Sequence, residues 1–245
     1  MTTLGLYGDS FVDYQPIHHP AQRSLVPYCW SRRLESQFFV KNYGLTGSSL
    51  YWSMRQFENS YQEHDHVVFV VTAPGRWPGT LTKPGWPRPW TVSSYDQCQE
   101  WLKENPNDRQ VEAVRDWYMW GQVADYELYT HQIMVDKIKA LRPDAVVIPI
   151  NNYSNKTTPN LTDFMLVTAK TLRPDLINVD LPSNEQLAIL VQNWEERAIV
   201  CHLTADMHQY VFNTILDSLE QNEWSAKVPE TYPHEHPWDY YYSKR

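Results

Sequence analysis

Short apolar runs alternate with amphipathic stretches along most of the chain. The runs have the length and character of buried β-strands: Leu4 to Tyr7, Phe38 to Lys41, His66 to Thr72, Ala145 to Ile150, and Leu176 to Val179. The intervening stretches predict helices: Tyr28 to Leu34, Leu50 to Tyr61, Asp125 to Leu141, Pro182 to Leu190, and Thr204 to Leu219. Strands that alternate with helices form a parallel sheet covered on both faces. The pattern therefore predicts an α/β fold of the three-layer, flavodoxin-like type with a central parallel sheet.

The stretch from Asp125 to Leu141 has the clearest amphipathic pattern. Its inward face is expected to carry Leu128, Ile133, Met134, Ile138 and Leu141. The helix is predicted to end at Arg142-Pro143-Asp144, because proline cannot continue it.

Residues from about 75 to 122 interrupt this alternation. The region holds five prolines between Pro74 and Pro89, and six of the eleven tryptophans, at positions 77, 86, 90, 101, 117 and 120. Tyr95 to Asn105 and Arg109 to Trp120 have helical patterns. A connection this long in a compact domain is functional or has structure of its own. We interpret it as an insertion, a lid or side wall, within one domain of residues 1–227. Its tryptophans either face a ligand or pack the insertion onto the domain.

Composition excludes several classes of function. The chain has 21 basic and 29 acidic residues, a net charge of −8, and no long basic run, which argues against a nucleic-acid partner. No run of about 18 apolar residues predicts a membrane span. No basic region followed by an apolar run predicts a secretion signal, so a cytoplasmic or virion-associated protein is expected. The aromatic tail, residues 228–245, is expected to cover the domain, contact another subunit of a homo-oligomer or larger assembly, or order on binding.

Neither a metal nor a cofactor is expected. The three cysteines, Cys29, Cys98 and Cys201, are widely spaced and match neither a disulfide framework nor a zinc motif. The clustered histidines lack ligand spacing on a defined helix. No glycine-rich loop for phosphate is present.

Catalytic chemistry is indicated first at Gly8-Asp9-Ser10, which follows the first predicted strand. Ligands of open α/β sheets bind at the carboxyl ends of the strands, so Ser10 is a candidate nucleophile. A serine nucleophile needs a base and donors for the oxyanion. His202, just before the last predicted helix, is the candidate base, whereas His208 inside that helix is expected to be structural.

Together these segments resemble the SGNH, or GDSL-like, hydrolases. Gly8-Asp9-Ser10 is similar to the first block of that family, the segment from Asn42 to Ser49 to the second, and His202 stands where the final block places its histidine. The resemblance implies Ser10 as nucleophile, His202 as base, and the amides of Ser10 and Gly47 as oxyanion donors.

Two departures from the family pattern affect the expected site. The third block has no asparagine after the third strand, so the Gly75 amide or Arg76 is expected to substitute as donor. Ile199 stands where the family places its aspartate, which leaves a Ser-His dyad as well as a triad open. Asp9, Arg76 and Trp77 are the candidate substrate contacts.

Two functions therefore remain open from the sequence. The first is a serine esterase that cleaves an acyl ester through an acyl-enzyme. Because aromatic faces stack on sugar rings, its expected substrate is a small acyl group such as O-acetyl on a carbohydrate. The second is an SGNH-like module that has lost catalysis and binds a glycan or a protein, as part of a viral or larger assembly.

Overall fold

The computed structural model describes residues 2–14, 26–72, 75–81, 91–92, 94–121, 124–150, 161, 164, 199–200 and 203–227. The predicted strand Leu176 to Val179, the helix from Pro182, and the tail 228–245 lie outside these residues. Among the described helices, none is both long and apolar enough to cross a membrane.

Four parallel strands form the central sheet in the order β2-β1-β3-β4. Their bounds are Thr3–Tyr7 for β1, Phe39–Asn42 for β2, His66–Val71 for β3 and Val146–Pro149 for β4. Strand β1 pairs on one side with β2, from Thr3↔Phe39 to Leu6↔Asn42, and on the other with β3, from Leu4↔His66 to Tyr7↔Phe69. This is the strand order of flavodoxin-like sheets, in which the order reverses between β1 and β3.

Six α-helices are described, with bounds as follows: α1 Trp30–Arg33, α2 Leu50–Ser60, α3 Tyr95–Glu104, α4 Arg109–Asp116, α5 Ala124–Leu141 and α6 Ala205–Gln221. Single 3₁₀ turns cover Val26–Tyr28, Leu34–Ser36 and Tyr61–Glu63, and a π-helical turn covers Trp117–Gly121. An antiparallel pair, β5 Ile199–Val200 and β6 Leu203–Thr204, precedes α6. The predicted start of α6 at Thr204 is therefore one residue early.

Alternate side chains of the strands enter two separate cores. Leu4, Leu6, Val68, Val70 and Ile148 belong to a core completed by α1 and α6. The opposite face supplies Tyr7, Val67, Phe69 and Val71 to a core completed by α2 and α5. Both faces of the sheet are thus covered, and the predicted three-layer α/β fold is confirmed.

The prediction for the inward face of α5 is partly wrong. Leu128 and Ile133 are 42% and 46% exposed, whereas Ile138 is fully buried and Met134 packs against the core. His131 is buried on this helix instead, and its ring bonds to the carbonyl of Thr72, the residue directly after β3. The helix therefore buries a polar ring where the sequence suggested an aliphatic stripe.

Candidate active site

Ser10 lies in a tight turn at the carboxyl end of β1. The Asp9 carbonyl accepts hydrogen bonds from the amides of Val12 (3.0 Å) and Asp13 (2.9 Å), so the chain folds back on itself immediately after the strand. Ser10 is half-buried at the start of this turn. A central strand of the sheet thus presents a partly accessible hydroxyl-bearing residue at the edge where such folds bind ligands.

Gly8 allows the turn to lie close to β3. Its φ is 150°, and a Cβ at this position would lie 2.8 Å from Val12 Cγ2 and 2.9 Å from Val70 Cβ. A larger residue would have to push the turn away from the neighbouring strand. Glycine at this position therefore fixes where Ser10 stands relative to the sheet.

Asp9 is fully buried beside Ser10 and is bonded on both carboxylate oxygens. Oδ1 accepts the Phe11 amide at 3.1 Å, and Oδ2 accepts Arg76 Nη1 at 2.8 Å. The carboxylate thus stabilises the turn through the Phe11 amide and forms an ion pair with Arg76, which belongs to the loop after β3. The expectation that Asp9 contacts substrate stays a prediction, and in this structure Arg76 stands in direct contact with it.

The loop after β2 is fastened to the Ser10 turn at several points. The amide of Leu45 and the hydroxyl of Ser48 donate to the Gly8 carbonyl at 3.1 Å and 3.4 Å. The buried Asp13 carboxylate accepts the Thr46 amide (2.9 Å) and hydroxyl (3.2 Å). These bonds hold residues 43–49 against the candidate nucleophile.

Gly47 is the candidate oxyanion donor of this loop. Its φ of 76° lies in the left-handed region, which glycine adopts without a steric cost. In the part of the chain that the structure describes, its amide has no hydrogen-bond partner. An N–H without a protein partner is available to a ligand.

Arg76 joins all three loops. Its Nη1 donates to Asp9 Oδ2 and, at 3.1 Å, to the Ser48 carbonyl, and its side chain is 22% exposed. Gly75, with φ of 79°, precedes it. One guanidinium nitrogen therefore contacts both the turn that carries Ser10 and the loop that carries Gly47. Whether Arg76 or Gly75 acts as an oxyanion donor stays a prediction.

Two further residues support these loops without having been predicted as site residues. His131 Nε2 bonds the Thr72 carbonyl at 2.8 Å, just before the loop that carries Arg76, and burial lowers the pKa of this imidazole. Asn42 donates to the Val12 carbonyl and accepts the Gly44 amide, both at 2.8 Å. The polar end of β2 was the available sequence signal for Asn42. For His131 the signal was a polar residue in line with the apolar positions Leu128, Met134 and Ile138 of an amphipathic helix.

Trp77 connects the site to the insertion. Its amide donates to the Tyr118 hydroxyl (3.2 Å), and its ring meets Trp117 edge-on with 5.5 Å between ring centroids. The ring packs against a small hydrophobic core of the insertion, comprising Leu81, Val92, Cys98, Val111 and Val114. Trp77 is half-buried, and its role in substrate contact stays a prediction. Trp86 and Trp90 lie outside the described residues.

The candidate base, His202, also lies outside the described residues. Its neighbours in sequence pair as Ile199↔Thr204 and Val200↔Leu203 directly before α6. His208 on α6 is fully buried, and its Nδ1 accepts the Trp30 amide at 3.2 Å, which is a structural role. Within the described ranges, no three side chains of His, Cys, Asp or Glu come together as metal ligands.

Comparison with known proteins gives only distant structural likeness. No protein-family model matches the chain, and no curated protein matches it. A catalytic mutant of an acetylxylan esterase from Geobacillus stearothermophilus is 14% identical, covers 92% of this chain and 97% of its own, and gives a TM-score of 0.34. A lipase/acylhydrolase from Enterococcus faecalis is 12% identical, covers 93% of this chain and 100% of its own, and gives a TM-score of 0.31. At these values neither likeness assigns this chain to a family.

Proposed function

We propose that this chain is a serine hydrolase that cleaves an ester, with Ser10 as its nucleophile. The observation that carries the proposal is the convergence of three loops at the carboxyl edge of the sheet. The first loop carries the half-buried Ser10, and the second carries the unpartnered Gly47 amide. Arg76, from the third loop, bonds to the neighbours of these two residues, Asp9 and Ser48. A nucleophile beside preset backbone donors is the arrangement that acyl transfer requires.

The proposed reaction has two steps. Ser10 Oγ attacks the ester carbonyl carbon, its proton passes to His202, and the amides of Ser10 and Gly47 bind the oxyanion. The tetrahedral intermediate then collapses to an acyl-enzyme, and the alcohol leaves with the proton held by His202. A water molecule, activated by His202, hydrolyses the acyl-enzyme and restores Ser10. The assignment of His202 rests on its place in the sequence.

The proposed substrate is a small acyl group, such as O-acetyl, on a carbohydrate. Support comes from the aromatic residues beside the third loop, where Trp77 follows Arg76 directly and packs with Trp117 and Tyr118. Indole and phenol rings offer flat apolar faces to sugar rings and polar edges to hydroxyls. Efficient turnover of long-chain lipid esters, with none of acetylated sugars, would contradict this substrate class.

The nucleophile is tested by covalent labelling combined with an esterase assay. The chain and its Ser10→Ala variant are incubated with a fluorophosphonate probe and, separately, with 4-nitrophenyl acetate. Ser36→Ala is the matched control, because Ser36 is exposed and its hydroxyl bonds only to near neighbours in sequence, donating to the Arg33 carbonyl and accepting from Gln37 Nε2. We expect labelling and acetate release by the original chain and by Ser36→Ala, and neither by Ser10→Ala. Absence of labelling in all three proteins would favour the second hypothesis, a binding module without catalysis.

A further inference from the structure

We propose that the Nε–Nη2 edge of Arg76 binds a carboxylate on the substrate, so that the site selects acidic esters. This inference rests on the proposed ester hydrolysis at Ser10 and adds a specificity determinant to it. It starts from the observation that only some of the N–H donors of the Arg76 guanidinium have an acceptor. A guanidinium has five N–H donors in a fixed plane. The structure assigns the Nη1 donors to Asp9 Oδ2 and the Ser48 carbonyl.

The remaining donors of Arg76 have no protein partner. Among the described residues, and in contacts from them to the rest of the chain, neither Nε nor Nη2 makes a hydrogen bond or ion pair. The side chain keeps 22% of its surface exposed, so these donors are available to an incoming group. The Nε–Nη2 edge presents two parallel N–H bonds, which match the spacing of two carboxylate oxygens.

The surroundings of Arg76 also favour an anion at this edge. Asp9 is the paired carboxylate, it is fully buried, and its second oxygen is occupied by the Phe11 amide. Ser48, the other acceptor, directly precedes Ser49, whose side chain caps the start of α2 by accepting the Trp52 amide. The amino end of an 11-residue helix, with its positive partial charge, therefore begins next to the guanidinium. The Asp9 carboxylate balances the guanidinium charge on its inner side, so the positive partial charge of the helix end is what favours an anion at the outer edge.

The position of Arg76 places such a carboxylate on the same molecule as the reacting ester. Its Nη1 contacts Asp9, the residue before Ser10, and Ser48, the residue after Gly47. A group bound at the free edge is thus close to both the proposed nucleophile and the proposed oxyanion donor. The carboxylate can belong to the acyl part, as in a hemiester of a dicarboxylic acid, or to the alcohol part, as in an O-acylated uronic acid.

The test compares matched acidic and neutral substrates. The acyl arm uses 4-nitrophenyl hydrogen succinate and its methyl ester, and the alcohol arm uses O-acetylated galacturonic acid and its methyl ester. We expect a preference for the acid in one arm of roughly 10- to 100-fold in kcat/KM, the range for hydrogen bonds to a charged group. The arm that shows it identifies the source of the carboxylate. No preference for the acid in either arm would overturn the proposal.

Arg76→Lys tests whether the guanidinium edge is responsible. Lysine keeps a cation beside the buried Asp9 carboxylate but cannot offer two parallel donors. We expect the acid-to-neutral ratio to fall toward one, mainly through a higher KM for the acid. Arg55→Lys, an exposed change on α2, is the matched control. An unchanged ratio in a folded Arg76→Lys protein, judged by circular dichroism, would overturn the proposal. An equal loss of kcat for acid and neutral substrates also leaves the ratio unchanged, and it would overturn the carboxylate site while showing that Arg76 supports the chemical step.

A binding measurement separates this inference from the proposed hydrolysis. Tryptophan fluorescence is followed while an acid, galacturonate or monomethyl succinate, is added to the original chain and to Arg76→Lys. The neutral controls are the methyl ester of galacturonic acid and dimethyl succinate. Binding of one acid that Arg76→Lys loses supports the carboxylate site, even if the fluorophosphonate probe does not label Ser10. Labelling of Ser10 without any preference for an acid, in binding or turnover, would leave the hydrolase standing and overturn the carboxylate site.

Discussion

The buried pair between Asp9 and Arg76 predicts strong energetic coupling between two loops that are far apart in sequence. Asp9 is fully buried, and its contact with Arg76 is 2.8 Å. Replacing Arg76 by Met leaves that carboxylate without its cation. Removing one partner of a buried pair costs about 3–5 kcal/mol, and we expect about 3 because Arg76 is 22% exposed.

The second variant removes the charge instead of its partner. Asp9→Asn keeps an oxygen that can accept the Phe11 amide but loses the charge-assisted bond to Arg76, for which we expect a cost of about 2 kcal/mol. In the double variant no buried charge is left unpaired. We therefore expect it to lose about 3 kcal/mol rather than the additive sum of about 5, a coupling of about 2.

Urea unfolding followed by tryptophan fluorescence measures these free energies. Equal m-values in the four proteins would show that the variants expose similar surface on unfolding, which makes the comparison valid. A double variant whose destabilisation equals the sum of the single ones within about 0.5 kcal/mol would refute the reasoning. Such additivity would mean that Asp9 and Arg76 do not interact in solution.

Two further predictions concern the face of the sheet that α2 and α5 cover, and the support of the loop that carries Arg76. Phe57→Ala removes a fully buried ring that packs against Tyr7 and Phe69, and we expect it to cost about 3–5 kcal/mol in urea unfolding. Tyr51→Ala, on the same helix but 47% exposed, should change the free energy of unfolding by no more than about 0.5 kcal/mol. Similar losses for Phe57→Ala and Tyr51→Ala would contradict the described packing. Burial lowers the pKa of His131 in the folded chain. In acid the unfolded chain therefore binds a proton more readily than the folded chain does, and the free energy of unfolding falls as the pH drops through about 6.5. The His131→Gln variant has no such group, so its free energy of unfolding should not fall for this reason. The difference in free energy of unfolding between the original chain and the variant should therefore narrow from about pH 7.5 to about pH 5.5. A difference that is independent of pH would contradict a buried neutral ring.

The strands of the sheet could be predicted because their apolar runs are short and sharply bounded. Each of the four strands from β1 to β4 begins and ends within about two residues of its predicted limits, since each apolar run is flanked by polar or turn-forming residues. Residue burial on α5 was harder to predict. Leu128 and Ile133 are apolar but exposed, and His131 is polar but buried because the Thr72 carbonyl satisfies it. Hydrophobicity alone does not predict the burial of a polar side chain whose hydrogen-bond partner lies outside its own helix.

The candidate site likewise has features that the sequence could predict and contacts that it could not. Gly8 and Ser10 were predicted to lie in a turn because small polar residues and glycine are typical of turns after strands. Gly47 was predicted only through the resemblance to the SGNH hydrolases, and the catalytic roles of Ser10 and Gly47 stay predictions. The contact between Asp9 and Arg76 spans 67 positions, and the tie from Asp13 to Thr46 spans 33. No local pattern reports contacts of that range, since they depend on how the loops meet after the sheet has formed. The sequence suggested Arg76 as a ligand contact but could not show that Asp9 orients it.

The separate small core of the insertion has a consequence for how the protein opens. Leu81, Val92, Cys98, Val111 and Val114 are buried together and apart from both cores of the sheet. We expect a separate core of this kind to open as its own cooperative unit, so that its amide hydrogens exchange without global unfolding. The hydroxyl of Thr91 bonds the Thr46 carbonyl at 2.8 Å, which links this unit to the loop that carries Gly47. Each independent opening of the insertion would therefore also release one restraint on the rim of the proposed active site.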